Sequence, residues 1–168
     1  MTATSAYTIL ALVALQRGLE IAYAARNARA LKERGGIELG RAHYPAMVVL
    51  HLSWLIAMGI GIARHPAVHW LPLAAFALLQ AMRIWVLVTL GRFWTTRIIT
   101  VTGEPLVHRG PYRYVRHPNY LVVIGEMATL PLVFGQIANA AIFSALNLAV
   151  IGWRIRVENA ALQPRRAL

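Results

Sequence analysis

The stretch VHRGPYRYVRHPNYLVV, Val107 to Val123, holds three arginines, two histidines, two prolines and three tyrosines between long apolar blocks. Gly110-Pro111 is a turn signal, and Pro118 forces His117 towards an extended conformation. Pro118, Asn119 and Tyr120 then open a helix whose free N–H groups and positive dipole end make an anion site, strengthened by Arg116 just upstream. Tyr112, Tyr114 and Tyr120 add flat faces and hydroxyls. A second constellation, RIRVENAAL, places Arg154 and Glu158 four residues apart on one helix face, with Arg156 pointing elsewhere. Each has a plain alternative: an interfacial belt of Tyr and Arg, and a surface ion pair worth about 0.3–0.5 kcal/mol. If the two meet at one membrane edge, they form a pocket for a mixed-charge ligand, with an apolar partner entering from lipid.

The elements that must bring them together are read from composition. Of the 168 residues, 58% are hydrophobic and only 14% charged, with mean hydropathy +0.55. A soluble domain carries about 25% charged residues, so the chain is predicted to be an integral membrane protein. The net charge of +11 is not a nucleic-acid signature, because the basic residues lie between apolar runs rather than on one polar surface. With no cysteine, disulfides, thiolate metal sites and cysteine nucleophiles are excluded. The first apolar run has no Lys or Arg before it and is read as a retained helix.

Five apolar segments follow: roughly Ala6–Ala25, Tyr44–Ile62, Val68–Leu90, Leu121–Phe134 and Ala140–Trp153. The fourth gives only about 21 Å of helix against a core of about 30 Å, unless it starts at Pro118. Basic residues vote on orientation. Arg26, Arg29, Lys32, Arg34 and Arg41 follow the first span; Arg92, Arg97, Arg109, Arg113 and Arg116 follow the third; Arg154, Arg156, Arg165 and Arg166 end the chain. Opposite them stands Arg64. The positive-inside rule predicts an all-α protein of five transmembrane helices, N-terminus outside, C-terminus cytoplasmic, the last two helices forming a short hairpin. Arg17 and Arg83 remain inside spans; Glu20 is the expected partner of Arg17, and Glu20 or Glu126 that of Arg83.

At GPYRYVRHPNYL, followed by a hairpin and RIRVENAAL, the chain resembles the isoprenylcysteine carboxyl methyltransferase family of integral membrane enzymes, over about Leu90 to Leu162. HYPAMVVLH and the stretch from Arg83 through Val123 further resemble a small bacterial branch associated with type III polyketide synthases, taken to O-methylate alkylpyrones or alkylresorcinols. The resemblance implies S-adenosylmethionine as methyl donor in a cytosol-facing pocket. Val107, Gly110, Tyr112, Arg116, His117, Pro118 and Tyr120 would shape the cofactor site, and Arg154 and Glu158 would be catalytic. One departure is visible: the family often has two consecutive acids where this chain has Glu158-Asn159.

The expectation is therefore a single methyltransferase domain over residues 1–168, with three spans in 1–90 and the cofactor-binding and catalytic half in 91–168. It sits in the bacterial inner membrane, methylating an oxygen of a lipophilic acceptor from the bilayer, its partners being that acceptor and membrane lipids, with no nucleic acid and no metal. Competing readings are a prenylcysteine-like carboxylate acceptor, a nicotinamide-dependent membrane reductase and a non-catalytic lipid-binding protein. No HExxH, GxxxxGK[ST] or GxGxxG is present. His51 is read as a helix-packing or pocket residue rather than a ligand, and His65 and His69, although spaced i, i+4 as metal ligands can be, as an exposed non-functional pair.

Overall fold

Apolar runs flanked by arginine and glycine fold as helices that overrun the bilayer wherever the flanks are good helix formers. The computed structural model describes residues 2–163. Helix α1 spans Ala3–Glu33, α2 His43–Arg64, α3 Trp70–Leu90, α4 Pro118–Val133 and α5 Ile137–Leu162. Thus α1 and α5 run well past the apolar segments, because Ala, Arg, Lys and Leu are good helix formers and carry the helix on beyond the apolar stretch. The predicted hairpin is present. Helix α4 ends with Gly135 at φ 71°, Gln136 N–H donating to Pro131 O and Gly135 N–H to Leu132 O, and α5 starts at once.

Two features refine the expectation. Among the described residues four helices, α1, α2, α3 and α5, are long and apolar enough to cross a membrane. Helix α4 starts at Pro118 as predicted but has only 16 residues, about 24 Å, because the Gly135 cap stops it. The chain is also not purely helical. Strands β1 (Ile37–Leu39) and β2 (Ile98–Thr100) pair antiparallel, Glu38 opposite Ile99. This ribbon ties the α1–α2 loop to the α3–α4 connection. Its latch is Glu38, which accepts from Lys32 and Arg97. Burial works to raise the Glu38 carboxyl, but those two hydrogen bonds and charges outweigh it and hold it below the ordinary 4.5.

Helix α4 packs between α3 and α5, while α1 and α2 complete the bundle. The main core joins Val13, Leu50, Trp54, Phe76, Met127 and Phe134. Leu12, Leu19, Val49, Leu78 and Val88 project outward, an apolar belt suited to lipid. At one end, Tyr7 donates to Gly59 O, Gln136 to Met58 O and His69 N–H to Val133 O. At the other end lie the ribbon, the 91–117 connection and the end of α5, bringing the basic segments together. Arg165 and Arg166 lie outside the described residues.

Between the ends, the buried charges close on one another. Arg83, 6% exposed, donates from Nε and Nη2 to Glu20 and from Nη1 to Glu126 at 2.7–2.9 Å. Arg17 pairs with the same two carboxylates at 2.9 Å, so both expected partners of Arg83 are used. Gln16 and Gln80 bridge the rest.

Candidate functional site

The 91–117 connection is shaped by backbone constraints before any ligand is considered. A short 3-10 turn, Gly91–Phe93, leaves α3, and a second, Gly110–Arg113, precedes α4. Gly110 has φ 56°, and a Cβ there would lie 2.5 Å from Thr89 Oγ1, so only glycine lets this loop return against the end of α3. Pro118 then opens α4 as its first residue, where a missing N–H costs nothing.

Between this loop, the ribbon and the ends of α4 and α5 is a cavity of about 600 Å³. Val107, Tyr112, Arg116, His117, Tyr120, Arg154 and Glu158 all line it, so the two motifs read from the sequence do face one space. Gly110 and Pro118 are absent from its lining and act by shaping the backbone. Arg156 is exposed on another face of α5, as its spacing predicts.

The geometry of Arg154 and Glu158 differs from a direct ion pair. Arg154 Nε donates to Tyr120 Oη at 2.7 Å, and the Tyr120 hydroxyl donates to Glu158. Tyr120 thus couples the two α5 residues from α4. His117 stacks on Tyr120 with ring centroids 5.3 Å apart. Its Nδ1 is 3.8 Å from Glu158 Oε1 and its Nε2 is 3.2 Å from Asn159 Oδ1. The amide that replaces a second acid is therefore engaged with the imidazole. Burial pushes the Tyr112 hydroxyl far above its ordinary value, with the Glu158 charge adding to the effect, so it stays a neutral phenol.

Sequence reasoning missed several members of this site. Asn119 lines the cavity, and its Oδ1 is a buried acceptor with no protein partner. Trp94 also lines it, with the Arg83 guanidinium 5.8 Å from its ring, so the intramembrane charge cluster underlies one wall. His43 and Met47 reach Arg154 from α2. Asn119 sits inside the quoted motif and His43 and Met47 inside HYPAMVVLH, but the orphaned oxygen and the reach to Arg154 are tertiary facts.

A family model described as the isoprenylcysteine carboxyl methyltransferase (ICMT) family matches residues 70–164, which includes α3 and α4, α5 and the connection between them. The chain is similar to an uncharacterized protein, YpbQ, of Bacillus subtilis (strain 168), 38% identical over 161 residues, covering 94% of this chain and 96% of that one. It is also similar to an uncharacterized protein of Haemophilus influenzae, 25% identical over 142 residues, covering 82% and 83%. No solved structure matches the chain.

Proposed function

The chain belongs to the isoprenylcysteine carboxyl methyltransferase family of membrane methyltransferases that use S-adenosylmethionine, and from that premise we propose its acceptor chemistry. The protein moves a methyl group to an oxygen of a lipophilic acceptor drawn from the bilayer, of the alkylpyrone or alkylresorcinol type. One observation carries this reading. Arg154 lines the cavity at 7% exposure, and among the described residues no carboxylate pairs with it directly. A buried guanidinium without its own counter-charge favours an oxyanion, and a hydroxypyrone oxygen is largely ionised near neutral pH.

The lining fits the cofactor as well. Glu158 and the faces of Tyr112 and His117 suit its sulfonium and amine, since carboxylates and aromatic faces both attract cations. Arg116 and the start of α4 suit its carboxylate. Asn119 Oδ1 suits a donor from its amine or ribose. When bound, S-adenosylmethionine supplies an electrophilic methyl group. The residues of the chain then do the positioning: Arg154 holds the acceptor oxygen, Tyr120 fixes Arg154 relative to Glu158, and Leu31, Leu90 and Ile98 keep water out. A hydroxypyrone arrives ionised and needs no strong base, whereas an alkylresorcinol phenol, with a pKa of about 10, must first give its proton to solvent or to a cavity carboxylate such as Glu158.

By the positive-inside rule the basic end faces the cytoplasm, with the N-terminus outside and the short α4 crossing a locally thinned region. A reporter fused after Leu168 then reads cytoplasmic and one inserted near Ala67 reads external; the same side for both breaks this placement.

The test of function is methyl transfer from labelled S-adenosylmethionine by purified protein in detergent, offered an alkylpyrone, an alkylresorcinol and a prenylcysteine. Label in the first two supports the reading. Label in the prenylcysteine alone assigns the acceptor to a carboxylate. Binding of a nicotinamide dinucleotide in place of S-adenosylhomocysteine would overturn methyl transfer altogether.

A further inference from the structure

His43 opens α2, lies at 1% exposure, and falls outside the residues that the family model matches. Its ring is held on several sides. Trp153 of α5 meets it edge-on, with centroids 6.2 Å apart at 76°. Gly40 closes over it so tightly that a Cβ there would come 3.1 Å from Nδ1. On the remaining edge, Nε2 is 3.3 Å from Arg154 Nη1. A guanidinium has N–H donors and no acceptor, so Nη1 donates and Nε2 receives. That contact requires a neutral imidazole with its proton on Nδ1.

Met47, one turn further along α2, offers Sδ at 3.4 Å to the same Nη1, and Tyr120 Oη receives from Nε. Arg154 is thus held by three acceptors, none of which carries a charge. Arg83 is the counterexample within the same chain: carboxylates grip it at Nε, Nη1 and Nη2, and its charge is cancelled. A carboxylate in the place of His43 would do the same to Arg154.

We infer that His43 is a positioning residue that aims the Arg154 guanidinium at the acceptor's oxygen while leaving its positive charge available. This rests on the acceptor reading above and deepens it: selection of an anionic acceptor depends on α2, not only on the family-matched half. Three substitutions separate the elements of the claim. His43→Gln keeps an uncharged acceptor, His43→Leu keeps bulk without one, and His43→Glu adds a counter-charge.

The experiment uses the full chain in detergent and measures kcat and KM for an alkylpyrone, S-adenosylhomocysteine affinity and the melting temperature of each variant. His43→Leu is expected to lose about 100-fold in kcat/KM, the scale of a small misplacement of a catalytic group. Its S-adenosylhomocysteine affinity stays at the wild-type value. His43→Glu loses as much or more, chiefly as a raised KM, and His43→Gln recovers most of the loss. Equal impairment of the Gln and Leu variants, or losses that follow melting temperature across all three, would overturn the inference in favour of simple packing.

A second readout needs no acceptor. Nitrogen-15 NMR of histidine-labelled protein is expected to show His43 protonated at Nδ1 and bare at Nε2, with the Nε2 resonance moving in Arg154→Lys. A proton on Nε2 overturns the inference whatever the enzyme methylates. A wild type that labels no acceptor, yet shows the expected tautomer, counts against the proposed function and leaves the contact to Arg154 supported.

Discussion

Two arginines, Arg83 and Arg154, are buried in this bundle, and the structure treats them in opposite ways. Arg83 sits among Glu20, Glu126 and Arg17, where two positive charges meet two negative ones and Gln16 and Gln80 close the ring. Arg17 Nε is the orphaned donor of that cluster. Arg154 instead touches a phenol, an imidazole and a thioether, and around it Asn119 Oδ1 and His43 Nδ1 are left without partners. The first cluster is balanced in charge without a ligand. The second has charge and an unpartnered acceptor, Asn119 Oδ1, to offer one. In a membrane, where an unpaired charge is costly, that difference separates a structural brace from a binding site better than burial does.

The sharpest way to break the comparison is to unbalance the brace. Glu126→Leu leaves Arg17 and Arg83 sharing one carboxylate, and the expected loss is about 3–5 kcal/mol of stability, read by unfolding in mixed micelles. A stable Glu126→Leu protein that has lost methyl transfer would instead place the brace inside the reaction.

The converse change is Arg154→Ala. It is expected to lower turnover by about 10²–10³-fold, the cost of removing one preorganised oxyanion donor, while the protein stays folded and binds S-adenosylhomocysteine. Tyr120→Phe, which cuts the link from Arg154 to Glu158, is expected to cost less in turnover and more in cofactor affinity. Near-normal turnover in Arg154→Ala would remove the distinction between the two arginines.

The ribbon latch gives a smaller, pH-dependent effect. The Glu38 carboxyl is lowered in the fold, so its contribution is fully present above the ordinary value of 4.5 and disappears as pH falls through the lowered one. Glu38→Gln is expected to reduce stability at neutral pH and to flatten its decline in acid, as measured by melting temperature against pH. An unchanged acid profile would show that Lys32 and Arg97 do not hold the ribbon through this carboxylate. Smallest of all is Arg156→Ala, on the exposed face of α5, with stability within about 0.5 kcal/mol and activity retained. An inactive Arg156 variant would mean that α5 is rotated from the orientation described.

Much of this was legible in the chain. Helix starts and stops were readable where proline and glycine set the backbone: Pro118 opens α4, and the hairpin before α5 is short because Gly135 caps it. The spacing of Arg154 and Glu158 put them on one face, and the charges in the loops placed both motifs at one end, because periodicity and charge are local quantities. The β1–β2 ribbon was not readable, since two three-residue strands gain their stability only from pairing across 61 positions of sequence, as between Glu38 and Ile99. Nor was the reach of α1 and α5, as nothing in an alanine- and arginine-rich flank marks where lipid ends.

What the sequence by itself determined is a membrane bundle with a basic end and two motifs capable of holding a mixed-charge ligand. Only the tertiary structure decided which buried arginine is neutralised and which is left to act. Arg83 and Arg154 look alike in the chain, each with no acid close by except Glu158, four residues after Arg154. Their difference comes from what neighbouring helices present: Glu20 from α1 and Glu126 from α4 to the one, His43 from α2 and Tyr120 from α4 to the other. Charge compensation in a low-dielectric interior acts between atoms a few ångströms apart, and packing, not sequence order, sets those distances.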